Sequence, residues 1–186
     1  MFALSLQTMA PEYLGLCIVI MEGKSPDMPE KLVLNKVSLS YSSAEDRMCL
    51  AGEVSDADPL VFWLTRRMCE QLVVAITKFI ETASSIPIGA DKDLMLSFRQ
   101  SAALIKKEDS EPVKPGNDAK TTLIQKIDLV FQKETIALVF FMSDDASAKL
   151  TLTTQNARQW LGILFAQYKI AGWPLGVWPK CKDRSL

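Results

Sequence analysis

The chain has 186 residues, 48% of them hydrophobic and 23% charged, with a net charge of −1 and no histidine. That is enough for one domain with a sizeable core, and the charge balance gives no general attraction to phosphate backbones. Without an imidazole, Ser-His-Asp, Cys-His and His-metal devices are excluded, because each needs a side chain that titrates near neutrality.

The first residues, Met1 to Gln7, lack a basic segment, and the apolar run Leu14 to Met21 is too short to span a bilayer. A cytoplasmic protein without membrane association is expected. Cys17, Cys49, Cys69 and Cys181 are scattered and form no Cys-x-x-Cys pair, so they read as reduced, mostly buried thiols and not as zinc ligands. No glycine-rich phosphate loop or nucleophile elbow occurs, and no cofactor is expected.

Residues 31–82 and 121–170 read as two copies of one motif. Asn35 to Tyr41 aligns with Gln125 to Phe131, Ser55-Asp56 with Ser143-Asp144, Leu64-Thr65 with Leu152-Thr153, and Gln71 with Gln159. Each copy opens with an alternating strand: Val33, Val37, Leu39 and Tyr41 are assigned to one face, and Leu123, Ile127, Leu129 and Phe131 to its counterpart. Polar loops follow at Ser42 to Asp46 and Gln132 to Glu134. They lead to second strands that put Met48, Leu50 and Val54, or Ile136, Leu138, Phe140 and Met142, inward.

Turns at Ser55 to Asp58 and Ser143 to Ala146 precede third strands with Phe62 and Leu64, or Leu150 and Leu152, inward. Thr65 and Thr153 then stand where a helix N-cap belongs. The first helix carries an apolar stripe of Met68, Leu72, Ala75, Ile76 and Phe79; the second carries Ala157, Trp160, Leu161, Leu164 and Tyr168, and stops at Gly172 before Pro174. Between the copies, within residues 83–120, the spacing predicts a helix over Asp91 to Lys107 and a mobile polar loop over Glu108 to Lys120. An aromatic, proline-rich tail occupies residues 173–186.

A meander and one helix bury too little alone, so the expected fold is a single α+β domain over 1–186. It is a pseudo-twofold duplication of a three-stranded antiparallel meander plus helix, βββα twice, with both helices covering one antiparallel sheet.

Four features are candidate sites. Arg66 and Arg67 open a helix where the macrodipole disfavours cations, which suggests ligand binding to a small anion; pairing with Glu53, Asp56 or Asp58 is the plainer expectation. The sheet face turned from the helices carries Ala51, Val61, Trp63, Val130, Val139 and Phe141, and needs cover from within the chain or from a partner. The tail, with Trp173 and Trp178, reads as a flap over the core in preference to a docking peptide. Asn35 and Gln125 fall at matching positions on apolar stripes, where buried amides would need partners. Glu53, Asp56 and Asp58 form the one acidic cluster beside a strand end, and a solvated turn accounts for them. A non-catalytic binding or protein-interaction module is expected, with Val61, Trp63, Val139, Phe141, Trp173 and Trp178 as its interface and a homo-oligomer or protein partner. The alternative is a nucleic-acid or small-anion binder using the sheet face and the Arg66-Arg67 end.

Overall fold

The computed structural model describes residues 16–18, 31–55, 58–84, 101–103, 111–116, 119, 121–142 and 146–179. The elements are β1 (Leu16–Ile18), β2 (Lys31–Ser42), β3 (Arg47–Val54), β4 (Leu60–Leu64), α1 (Arg66–Ala83), β5 (Thr121–Leu123), β6 (Lys126–Phe131), β7 (Thr135–Phe141), β8 (Ser147–Thr153) and α2 (Thr154–Ala171). Residues 101–103 are also helical; the rest of the helix expected over 91–107 lies outside the described residues, as does most of the loop expected over 108–120.

The fold is α+β, with the helices packed on one mixed, curled sheet in the order β1, β6, β7, β8, β2, β3, β4, β5. Antiparallel ladders join β2 to β3, β3 to β4, β6 to β7 and β7 to β8, as hairpin spacing requires. The sheet is not wholly antiparallel. β2 lies parallel to β8, β5 parallel to β4, and β1 parallel to β6. The connection from β4 to β5 passes through α1, a crossover of the kind that brings the chain back in the same direction.

The curl closes the sheet. Consecutive amides, Ile124 N and Gln125 N, donate to Trp63 O at 3.1 Å and to Phe141 O at 3.2 Å. One short stretch between β5 and β6 therefore ties β4 to β7.

Neither first strand keeps its alternation. The β2–β3 register shifts between Leu34 and Lys36, and β5 gives way to β6 across Ile124 and Gln125. An extra residue turns every side chain before it to the opposite face. Leu34 and Ile124 are thus buried in the core, whereas Val33 is 54% exposed and Leu123 41% exposed, against the expectation that Val33 shares a face with Val37 and Leu39, and Leu123 with Ile127 and Leu129.

The other inward positions agree with the sequence. Met48, Leu50, Phe62, Leu64, Ile127, Leu129, Ile136, Leu138 and Phe140 are sealed in one cluster with the apolar stripes of α1 and α2. Such burial contributes about 1.5–3 kcal/mol per large side chain before entropy is subtracted. Thr65 Oγ1 accepts from Met68 N at 3.3 Å, Thr153 Oγ1 accepts from Asn156 N at 3.2 Å, and Gly172 ends α2 in the left-handed conformation, φ 64°. The C-terminal end of α1 meets the first turns of α2: Arg158 Nη2, on a side chain buried within the domain, donates to Ser84 Oγ at 2.7 Å, and Ser84 Oγ donates to Ile80 O. Among the described residues no helix is long and apolar enough to cross a membrane.

Candidate interaction surfaces

Alternation along β4 sends Phe62 and Leu64 into the core and Val61 and Trp63 to the outer face. The outer face is only partly open. Val61 and Val139 are buried together with Ala51 and Ala137, so the broad apolar surface expected there is already covered at its centre. Trp63 and Phe141 remain half-buried, one on each side of the closing seam. Leu123 pairs with Trp63 across the parallel ladder, and Lys126 pairs with Phe141 across the antiparallel one. Lys126 Nζ sits 4.8 Å from the Phe141 ring centroid and 2.9 Å from Asp128 Oδ2, so its charge is shared between a π face and a carboxylate. The sequence grouped Leu123 with Ile127 and Leu129 and did not single out Lys126, because nothing in it announces the break that turns Leu123 outward.

At the N-terminal end of α1, Arg66 Nε is 3.4 Å from Glu70 Oε1, its own neighbour one turn on. Of the turn acids expected as partners, Glu53 and Asp58 are exposed, and Asp56 lies outside the described residues. Arg66 also lowers the pKa of Asp46, after two stronger causes, the hydrogen bonds from Trp173 and Tyr41. Arg67 is exposed and has interactions of its own. Arg66 is thus an exposed cation with one acidic neighbour, Glu70. Asn35 and Gln125 are not buried amides: both are exposed at the strand irregularities, and Asn35 Nδ2 donates to Ser55 Oγ at 2.7 Å.

The tail after Gly172 folds back over the helix pair. Trp173 Nε1 donates to Asp46 Oδ1 at 2.9 Å, and Tyr41 OH donates to the same oxygen at 2.9 Å. Behind this polar latch stands a run of edge-to-face rings: Tyr41 and Trp173 at 5.7 Å, Trp173 and Tyr168 at 5.1 Å, Tyr168 and Trp178 at 5.3 Å, and Trp178 and Phe165 at 5.0 Å between centroids. Lys169 Nζ closes the run, 4.7 Å from the Phe165 centroid. Tyr168 is fully buried, and burial pushes its phenol up from the ordinary value. Burial likewise pushes the nearby Cys69 thiol up to about 12, with Glu70 adding to the effect. Trp173 and Trp178, expected at an interface, are thus occupied within the chain. Beside Trp178 a shallow groove runs along α1, lined by Val74, Thr77, Lys78 and Glu81.

Among the described residues no three cysteine, aspartate or glutamate side chains converge to hold a metal. The chain matches no family model, no curated protein and no solved structure.

Proposed function

We propose that the chain is a non-catalytic protein-interaction module, made of two copies of a meander plus helix, that docks a protein partner or a second copy of itself through the outer sheet stripe of Trp63, Leu123 and Phe141. One observation carries this reading: two half-buried aromatic rings and a leucine left 41% exposed stand on hydrogen-bonded strands around the seam. Aromatic side chains on rigid backbone lose little entropy on docking, and they dominate interface energetics. Lys126, already beside Phe141, supplies a polar rim.

The duplication is supported by the order of elements, which runs meander then helix in both halves, by the irregularity at Asn35 and again at Gln125, and by the caps Thr65 and Thr153. The halves differ on the outer face. The seam carries Leu123 and Phe141 from the second copy and Trp63 from the first, whereas the aligned positions are Val33 and Glu53 of the first copy and Thr151 of the second, so the stripe is one-sided.

Trp63→Glu tests the reading by solution mass. A fall to the monomer with unchanged circular dichroism supports self-association through this face; an unchanged oligomer in a folded variant sinks it. The nucleic-acid alternative is weaker, because the net charge is −1 and Arg66 already has the acidic neighbour Glu70. Salt-dependent retention on nucleic acid would revive it.

A further inference from the structure

The tail is bound unevenly. Its base is fixed: Trp173 is buried, its amide donates to Tyr168 O at 3.1 Å, and its indole is latched to Asp46. Its outer part is not. Pro174, Leu175 and Gly176 are exposed, and the backbone hydrogen bond recorded there, Trp178 N to Leu175 O at 3.1 Å, is internal to the segment. What holds the outer part on the helices is Trp178, packed edge-on against Phe165 and Tyr168 beside the groove along α1, with Val177 packed on the core next to it. A segment held by two side chains, Val177 and Trp178, and among the described residues by no backbone bond to the body, opens at less cost than the core around it.

We infer that residues 174–179 are a releasable strap, hinged beyond Trp173, which covers a docking surface formed by Phe165, Tyr168 and Val74. The occupant of that surface is a partner segment of the strap's own chemistry, aromatic and proline-bearing. The strap shows the fit, since Trp-Pro-Leu-Gly-Val-Trp-Pro is the peptide seated there. Val74 extends the surface outward, being 57% exposed on α1 beside the groove. The strap therefore acts as a built-in competitor, and an outside segment binds only in the fraction of molecules whose strap is open. This does not rest on the sheet-face reading, which concerns the opposite surface.

The test uses the full chain and a synthetic peptide with the sequence of residues 173–179. Trp178→Ala removes the competitor's anchor, so the peptide should bind this variant about ten-fold or more tightly than wild type, by fluorescence anisotropy of a labelled peptide. Equal affinity for the two proteins, or no binding to a folded Trp178→Ala chain, overturns the inference. Should the variant fail to fold, hydrogen exchange on wild type decides: the Trp178 amide must exchange by local opening, far faster than the β3 and β7 amides and insensitive to low denaturant. A Trp178 amide as protected as those strands overturns it as well.

Discussion

Trp173 and Asp46, far apart in the chain, meet through a 2.9 Å hydrogen bond from indole Nε1 to carboxylate Oδ1, and Tyr41 OH donates to the same oxygen at 2.9 Å. Asp46 adopts a positive φ of 46° in the turn between β2 and β3, a conformation aspartate tolerates better than most residues. The hairpin turn thus presents a carboxylate to the base of the tail.

That contact sets a pH dependence. The indole donor first, then Tyr41 and the charge of Arg66, hold the Asp46 carboxyl below the ordinary value of 3.8. A group depressed in the folded state stabilises the fold fully above its unfolded pKa, and the contribution disappears as pH falls through the lower folded value. Asp46→Ala should therefore lower Tm at pH 7, and the gap to wild type should narrow as pH falls below 3.8 and through the lower folded value. Thermal melts across that range check it; a gap constant with pH would show that the carboxylate contributes nothing.

Gly172 predicts a backbone effect. Its φ of 64° is left-handed, and a Cβ there would meet no atom within 4 Å, so Gly172→Ala isolates conformational strain from crowding. A loss of about 1–2 kcal/mol is expected in urea unfolding. Gly176→Ala, also free of neighbours within 4 Å but without a positive φ, is the control and should change stability little.

Phe62 of β4 and Phe140 of β7 stack across the interior with centroids 5.8 Å apart and planes 21° from parallel. Both are essentially sealed from solvent. Each alanine variant should cost about 3–5 kcal/mol, and the double-mutant cycle should return a coupling of about 0.5–1.5 kcal/mol. Strict additivity in denaturant titrations would mean that the two rings do not communicate.

Cysteine reactivity offers a check without mutation. Burial raises both the Cys69 and the Cys49 thiol pKa, but Cys69 is wholly enclosed and pushed to about 12, whereas Cys49 is only half-buried. With iodoacetamide at pH 8, Cys49 should label in the native protein, and Cys69 only after denaturant is added. Peptide mapping that found Cys69 modified natively would contradict its placement against Tyr168.

The chain's periodicity made much of this architecture legible. Met48, Leu50, Phe62 and Leu64 announce their faces by strict alternation, and Thr65 and Thr153 announce helix starts by their hydroxyls. The strand irregularities were not legible. Leu32, Val33 and Leu34 are all apolar, so hydrophobicity alone cannot say which of them points inward, and the extra residue at Asn35 has no hydrophobic mark. The same ambiguity hid Leu123 and Ile124. The parallel pairings escaped because they depend on which distant edges meet, a property of the closed sheet and not of any local stretch. The Arg66–Glu70 pair was passed over for a different reason: the acids weighed as partners lay on the neighbouring turn, and Glu70 stands one helical turn along Arg66's own helix.

The seam at Ile124 and Gln125 also fixes an order of events during synthesis. The ring of strands has no closure until residues 121–153 have left the ribosome, so β2, β3 and β4 emerge with flanks that β8 and β5 occupy only later. Bare flanks of this kind recruit other nascent chains into mismatched pairings. The first half is born adhesive, and its safety depends on the prompt arrival of the second.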